Sequence, residues 1–186
     1  MILLSTTANL IASSIFSGTI VITLCLILAK LFKIKLTKID KPRLIKAINT
    51  LLLLGAMIYT TMWIIELFMA YYSGGEYEQY TFTNRFFGSY WWAALTLLIR
   101  SIVLPQILWV GKLRRSFICT IVIVSFWLLI NILAQVSFGI VEILREFTIS
   151  MSYLEGLGIY ILILEAVYII LKRKKLPHSK HTFTGS

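Results

Sequence analysis

Three ionisable side chains interrupt long apolar runs: Glu66 in TMWIIELFMA, Arg100 in LTLLIRSIVL and Glu165 in YILILEAVYI. A charge near the centre of a membrane helix costs about 2.5–3.5 kcal/mol, so each needs a partner or a wet cavity. An acid and a base in such positions can relay protons, hold an ion, or fix one helix against another. Residue types that run other chemistry are placed differently. The two histidines, His178 and His181, sit in the polar C-terminal stretch, so no axial pair for a haem falls within an apolar run. Cys25 and Cys119 stand singly in apolar runs, with no CxxC or CxxCH around them, and read as small buried hydrophobes. No nucleophile–base pair, P-loop, Rossmann or zinc signature is found. The chain itself is expected to carry no catalytic residue, no bound cofactor and no metal.

These charges must be positioned by membrane helices. Of the 186 residues 59% are hydrophobic and 14% charged, and the mean hydropathy is +0.87, which excludes an ordinary soluble domain. The net charge of +10 comes without an aromatic-and-basic stripe, so it does not indicate nucleic acid. Its distribution indicates topology instead. Fifteen of the eighteen basic residues fall in three blocks: Lys30 to Lys46, Lys112 to Arg115, and Lys172 to Lys180. The alternate connections carry Glu76, Glu78, Glu142, Glu146 and Glu155. Lys and Arg flanking membrane spans stay on the cytoplasmic side. The sequence therefore predicts an all-α integral membrane protein with five transmembrane helices, N-terminus outside and C-terminus inside. The spans are 9–32, 45–72, 86–110, 117–138 and 154–171, each able to supply the roughly 20 residues that a crossing needs. They form one bundle over 1–175, followed by a loose cytosolic tail, 176–186. The first apolar run lacks a basic leader and is too long for a signal-peptide core, so it reads as a retained span.

Two connections are more than linkers. Tyr71 to Tyr80, YYSGGEYEQY, couples a turn signal to alternating acids and aromatics that could fold over the outer face or against a partner. Residues 139–151 place Ile140, Ile143, Leu144 and Phe147 at helical spacing, opposite Glu142, Arg145 and Glu146, which predicts an interfacial helix on the outer surface. Pro105, late in the third span, should kink its helix and free a carbonyl. Counting from the outer ends of the spans puts Glu66 about 9–10 Å deep, Arg100 about 21 Å and Glu165 about 16 Å. Two polar groupings are expected: an ion pair of Arg100 with Glu165, and a cluster or proton path of Glu66 with Asn131 and Gln135. Asn49, Ser101, Gln106 and Ser125 read as interhelical hydrogen-bonding groups.

The stretch Glu66–Trp109 carries several motifs in order: the acid-aromatic start at Glu66, AYYSGGEYE, TFTNR at Thr81–Arg85, GSYWW at Gly88–Trp92 and LPQILW at Leu104–Trp109. Together with IFSG at Ile15–Gly18, it resembles the NrfD/PsrC-like (polysulfide reductase NrfD family) membrane subunits. The nearest likeness is to the large membrane subunits of bacterial alternative complex III. The resemblance implies the C-terminal half of such a subunit, the quinol-binding helices belonging to the other half. Quinol, haem and iron–sulfur centres would then reside on partner subunits of a respiratory chain complex. Glu66 matches a position in the family's proton route, whereas Arg100 stands where the family is uncharged. Asn131, Gln135 and Ser137 replace an aromatic-Glu-Arg cluster. The implied role is a cofactor-free, non-catalytic subunit of a quinol-oxidising electron transport complex, scaffolding it and taking part in proton translocation through Glu66. Its place would be an energy-transducing membrane, the bacterial cytoplasmic membrane or an organellar inner membrane. The alternatives are a small independent ion transporter or channel subunit, in which Arg100 and Glu165 line the path, and a purely structural membrane subunit.

Overall fold

The computed structural model describes residues 2–33, 40–72, 74–89, 91–138 and 151–173, with side chains at 6–33, 40–72, 74–89, 91–130 and 154–173. Every element among them is helical. In order they are α1 (Ile2–Leu31), α2 (Lys41–Tyr72), α3 (Glu76–Phe87), α4 (Trp91–Trp109), the single turn α5 (Gly111–Arg114), α6 (Phe117–Phe138) and α7 (Met151–Arg173). Four helices are long and apolar enough to cross a membrane: α1 from Thr6, α2, α4, and α7 from Leu154. Helix α6 runs for 22 residues, and its described side chains, Phe117–Ile130, form an apolar stretch. Of the interfacial helix expected at 139–151, residues 139–150 lie outside the described residues, as does the tail 176–186; Met151 already belongs to α7.

Helix boundaries follow local chemistry. Asp40 precedes α2 and Pro42 stands in its first turn, a starting signal reinforced by the Asp40–Arg43 ion pair at 2.8 Å. The third span begins at Trp91 rather than at 86, because the preceding residues form the separate helix α3. Gly88 ends α3 in extended backbone, with its N–H donating to the Asn84 carbonyl. The turn into α3 uses Gly74 at φ +69°, a left-handed conformation that favours glycine. Glu76 and Glu78 in the first turn of α3, and Arg85 in its last, match the helix dipole.

Packing centres on α1. One buried cluster joins Ile15 with Ala47, Ile48 and Leu51 of α2 and Tyr160 and Leu164 of α7. A second joins Leu52, Leu53, Leu108, Ile123 and Trp127, with Phe16 and Ile20 of α1 against it. Close approach depends on small residues. A Cβ on Gly18 would overlap the Tyr160 ring, one on Gly55 would lie 2.9 Å from Ile15 Cγ2, and one on Gly156 would lie 3.2 Å from Ser14 Oγ. The Thr19 hydroxyl donates to the Tyr160 hydroxyl at 3.3 Å within the same seam. Ser14 thus faces Gly156 and Gly18 faces Tyr160, so α1 and α7 run in the same direction. Helix α2 opposes both, its start bound where the Asp40 N–H donates to the Tyr168 hydroxyl at 3.3 Å.

The Gly18–Tyr160 contact predicts a strong substitution effect. Gly18→Ala should lower stability by about 1–3 kcal/mol through overpacking. Tyr160→Leu in the same chain should recover part of that loss, read as unfolding in detergent micelles. Additive losses would show that the two residues do not share one contact.

Candidate functional site

Polar groups gather in three tiers along α2. Toward its C-terminal end, Glu66 Oε1 accepts a hydrogen bond from Arg85 Nη1 at 2.6 Å, closing an ion pair between α2 and α3. The Arg85 guanidinium also lies over the Trp63 ring, 5.7 Å from its centroid. Phe86 meets Trp63 edge-on at 5.6 Å, and Phe82 meets Tyr71 at 6.1 Å. The Gly74–Gly75 turn therefore folds α3 back along the last turns of α2, and an aromatic seam holds the two together. Both charged side chains lie at the surface of the bundle, Glu66 44% and Arg85 40% exposed. Helix α2 itself has 32 residues. That length is about 48 Å, against a hydrocarbon core of about 30 Å.

The middle tier is built around a π-helical turn at Ile99–Val103 of α4. There the Leu104 N–H donates to the Ile99 carbonyl, a five-residue step back. In the same register the next donor, at position 105, would serve the Arg100 carbonyl, but proline has no N–H. The indole Nε1 of Trp127 supplies the missing donor at 2.8 Å, reaching across from α6. The carbonyl freed by Pro105, expected from sequence, is therefore that of Arg100, and its partner is a buried tryptophan. Phe16 of α1 packs edge-on against Trp127 at 5.0 Å and against Tyr59 of α2 at 6.0 Å, locking the indole in place. Tyr59 is also an electrostatic neighbour of Arg100.

The third tier, toward the start of α2, centres on Asn49, which is fully buried. Its Nδ2 donates to the Arg114 carbonyl at 2.9 Å and to the Ser116 carbonyl at 3.4 Å, while its Oδ1 accepts from the Thr120 hydroxyl at 2.8 Å. One side chain thus anchors the turn that precedes α6. The interhelical role expected of Asn49 is realised here. Gln106 is bound mainly within its own helix, accepting from Trp109 Nε1 at 2.6 Å, with a long contact to the Met57 sulfur at 3.8 Å. Ser101 is buried and Ser125 exposed.

The groups singled out in the sequence are distributed differently from the pairs expected of them. Among the described residues no ion pair joins Arg100 to Glu165. Glu165 lies exposed on α7, which packs on α1 and α2, whereas Arg100 belongs to the α2–α4–α6 region. With α4 beginning at Trp91 and α7 at Met151, Arg100 stands about 14 Å and Glu165 about 21 Å from the starts of their helices. Glu66 finds its partner in Arg85 of the adjoining helix. The side chains of Asn131 and Gln135, expected to join it, lie outside the described residues. Arg85, Tyr59, Thr120 and Trp127 are partners that sequence reasoning misses. For Arg85 the available signal is the Gly-Gly turn between two aromatic-rich helices, which brings residues on either side of it together.

Among the described residues no group of three or more His, Cys, Asp or Glu side chains is assembled. The three tiers stand apart along α2, Glu66 about 10 Å from Tyr59 and Tyr59 about 15 Å from Asn49 in axial rise. The arrangement fixes helices, caps broken backbone and presents a charge pair at one rim. No protein-family model matches the chain, and no curated protein matches it significantly.

The Pro105–Arg100–Trp127 arrangement predicts a coupled pair of substitutions. Trp127→Phe should cost about 1–3 kcal/mol by leaving a buried carbonyl without a donor. In a Pro105→Ala background, where position 105 regains an N–H, the same substitution should cost clearly less. Equal losses in both backgrounds, measured by unfolding in micelles, would show that the indole hydrogen bond is not what replaces the missing donor.

Proposed function

We propose that this chain is a five-span, cofactor-free scaffold subunit of a respiratory quinol oxidoreductase complex, an NrfD-like half-subunit with its N-terminus outside and its C-terminus inside. The observation that carries the reading is the pairing of Glu66 with Arg85. Both residues belong to motifs of the Glu66–Trp109 stretch, at its acid-aromatic start and in TFTNR, and they meet across the AYYSGGEYE turn. The LPQILW motif holds Pro105, whose missing donor Trp127 replaces. Motifs that are scattered in sequence are thus used together in one folded unit. That is what a shared family architecture requires.

The five-span topology is supported by helix direction. Helices α1 and α7 are parallel, and α2 opposes both. Helix α4 opposes α2, since Arg100 neighbours Tyr59, Gln106 lies beside Met57, and Leu108 packs with Leu52 and Leu53. Helix α6 follows α2, with Thr120 on Asn49, and opposes α4, with Trp127 on Arg100. A strict alternation over α1, α2, α4, α6 and α7 returns α7 to the direction of α1 only if α6 also crosses. Its 22 residues span about 33 Å, sufficient for the hydrocarbon core. The basic ends Lys30, Lys41–Lys46, Lys112–Arg115 and Lys172–Arg173 then share the cytoplasmic side.

Scaffolding is favoured over proton conduction because Glu66 is engaged with Arg85 across the α2–α3 hairpin. Missing quinol-binding helices, haem and iron–sulfur centres are assigned to partner subunits.

Single-cysteine labelling tests the topology: Gln79→Cys and Lys112→Cys should be modified from opposite sides of the membrane. Labelling of both from one side would overturn the five-span arrangement. Affinity purification of the chain in mild detergent should bring down larger membrane proteins and haem- or iron–sulfur-bearing subunits, and a solitary stable monomer would overturn the complex. Within that complex, Glu66→Gln should lower stability by no more than about 1 kcal/mol and leave quinol-linked electron transfer and proton release unchanged. Loss of proton release alone would assign Glu66 to a conducting path.

A further inference from the structure

We infer that the turn between α4 and α6 binds the phosphate of an anionic phospholipid headgroup at the cytoplasmic face. Lys112, Arg114 and Arg115 lie within four residues, and Lys46 lies one turn before Asn49 on the adjoining helix. The cations are held in place, because the Asn49 amide fastens the turn through the Arg114 and Ser116 carbonyls at 2.9 and 3.4 Å. The chain carries no acid between Glu78 and Glu142, the stretch that holds this turn. Of its eight acids, only Asp40 adjoins a basic block, and it is engaged with Arg43 at 2.8 Å. Within the cluster, Arg114 Nε is buried and has no hydrogen-bond acceptor. That nitrogen is shut off from the surface, so the donors offered to a phosphate oxygen, a strong charge-assisted acceptor, are those of the exposed Lys112 and Arg115 side chains.

Two features favour a lipid over free phosphate. The first turn of α6 begins directly after Ser116, adding the positive end of a 22-residue helix beside the cations. Around them lie exposed apolar side chains: Trp109, Val110, Leu113 and, further along α6, Ile118 and Val122. An anion bound at the turn would therefore have a surface for acyl chains beside it. A soluble anion has no use for that surface, whereas a phospholipid uses both parts. Basic pockets between membrane helices on the cytoplasmic side are suited to such headgroups. The site is independent of the respiratory assignment and serves any protein with this inner face.

The test titrates the full chain in neutral detergent with phosphatidylglycerol, phosphatidylcholine or inorganic phosphate, following Tm and, by native mass spectrometry, retained lipid. Phosphatidylglycerol should raise Tm and remain bound, with little effect from the other two. Its affinity should fall roughly fivefold for each charge removed in Lys112→Gln and Arg115→Gln, whose side chains are exposed and whose loss leaves the fold intact. Lys172→Gln with Arg173→Gln, on the exposed end of α7, should leave binding unchanged. Equal weakening by that second pair would reduce the effect to a diffuse basic collar and overturn the site. An equal Tm rise with phosphatidylcholine or inorganic phosphate would likewise overturn it.

Discussion

A peptide group inside hydrocarbon has no water to turn to, and this single constraint shapes every unusual feature of the chain. Helices answer it wherever the backbone is regular. Where regularity fails, a side chain must step in. The π-turn of α4 and Pro105 together leave the Arg100 carbonyl without a backbone donor, and Trp127 supplies one from another helix. At the turn before α6 the Arg114 carbonyl accepts from the Asn49 amide, which also reaches the Ser116 carbonyl beside the Thr120 N–H and hydroxyl. Each repair ties two elements together. Satisfying backbone groups and fixing helix positions are therefore one task performed by the same residues.

The same logic explains why α1 can be central while carrying no charge before Lys30. Association in lipid gains little from excluding water, so helices hold together through close packing and polar contacts. Gly18 lets the Tyr160 ring lie against the backbone, and Gly55 and Gly156 admit Ile15 and Ser14. Thr19 adds one hydrogen bond to the same ring's hydroxyl. Phe16 faces the other way, between Tyr59 and Trp127, and connects the packed seam with the repaired turn. A shift of α1 would disturb both clusters at once, since Ile15 belongs to one and Phe16 abuts the other.

Helix positions are legible in the sequence because apolar length and basic flanks are local signals. The second run and the fourth stand close to where they are expected, and Pro105 announces a freed carbonyl. Asn49 announces a hydrogen-bonding group, since an amide in an apolar run must be met. Partners are less legible, because they depend on helix rotation and on how far each helix extends. Counting from assumed ends puts Arg100 and Glu165 at one level. Once α4 begins at Trp91 the count changes, and the two residues belong to different sides of the packing. Glu66 is set against a distant helix as long as Glu76–Phe87 is not recognised as a helix of its own. The alternating acids and aromatics from Glu76 to Tyr80 carry no helical period that would reveal it. Only when the Gly74 turn closes do Phe82, Arg85 and Phe86 come to face Tyr71, Glu66 and Trp63 of α2.

What a charge does in such a bundle depends on where its counter-ion stands. Glu66 and Arg85 pair across a hairpin at one end of the bundle, with Trp63 beneath the guanidinium. An ion pair there resists separation of α3 from α2 but needs no burial, so it avoids the large desolvation cost of a pair at the membrane centre. The positive charge at the opposite end is treated differently: Asp40 serves Arg43, and Lys112, Arg114 and Arg115 follow one another with no acid between them. Among the described residues, an acid meets a base at one end, while basic side chains outnumber acids at the other. Under the orientation and lipid site proposed above, a membrane surface rich in anionic lipid would supply the countercharge that this basic end lacks, so one asymmetry would serve both topology and binding.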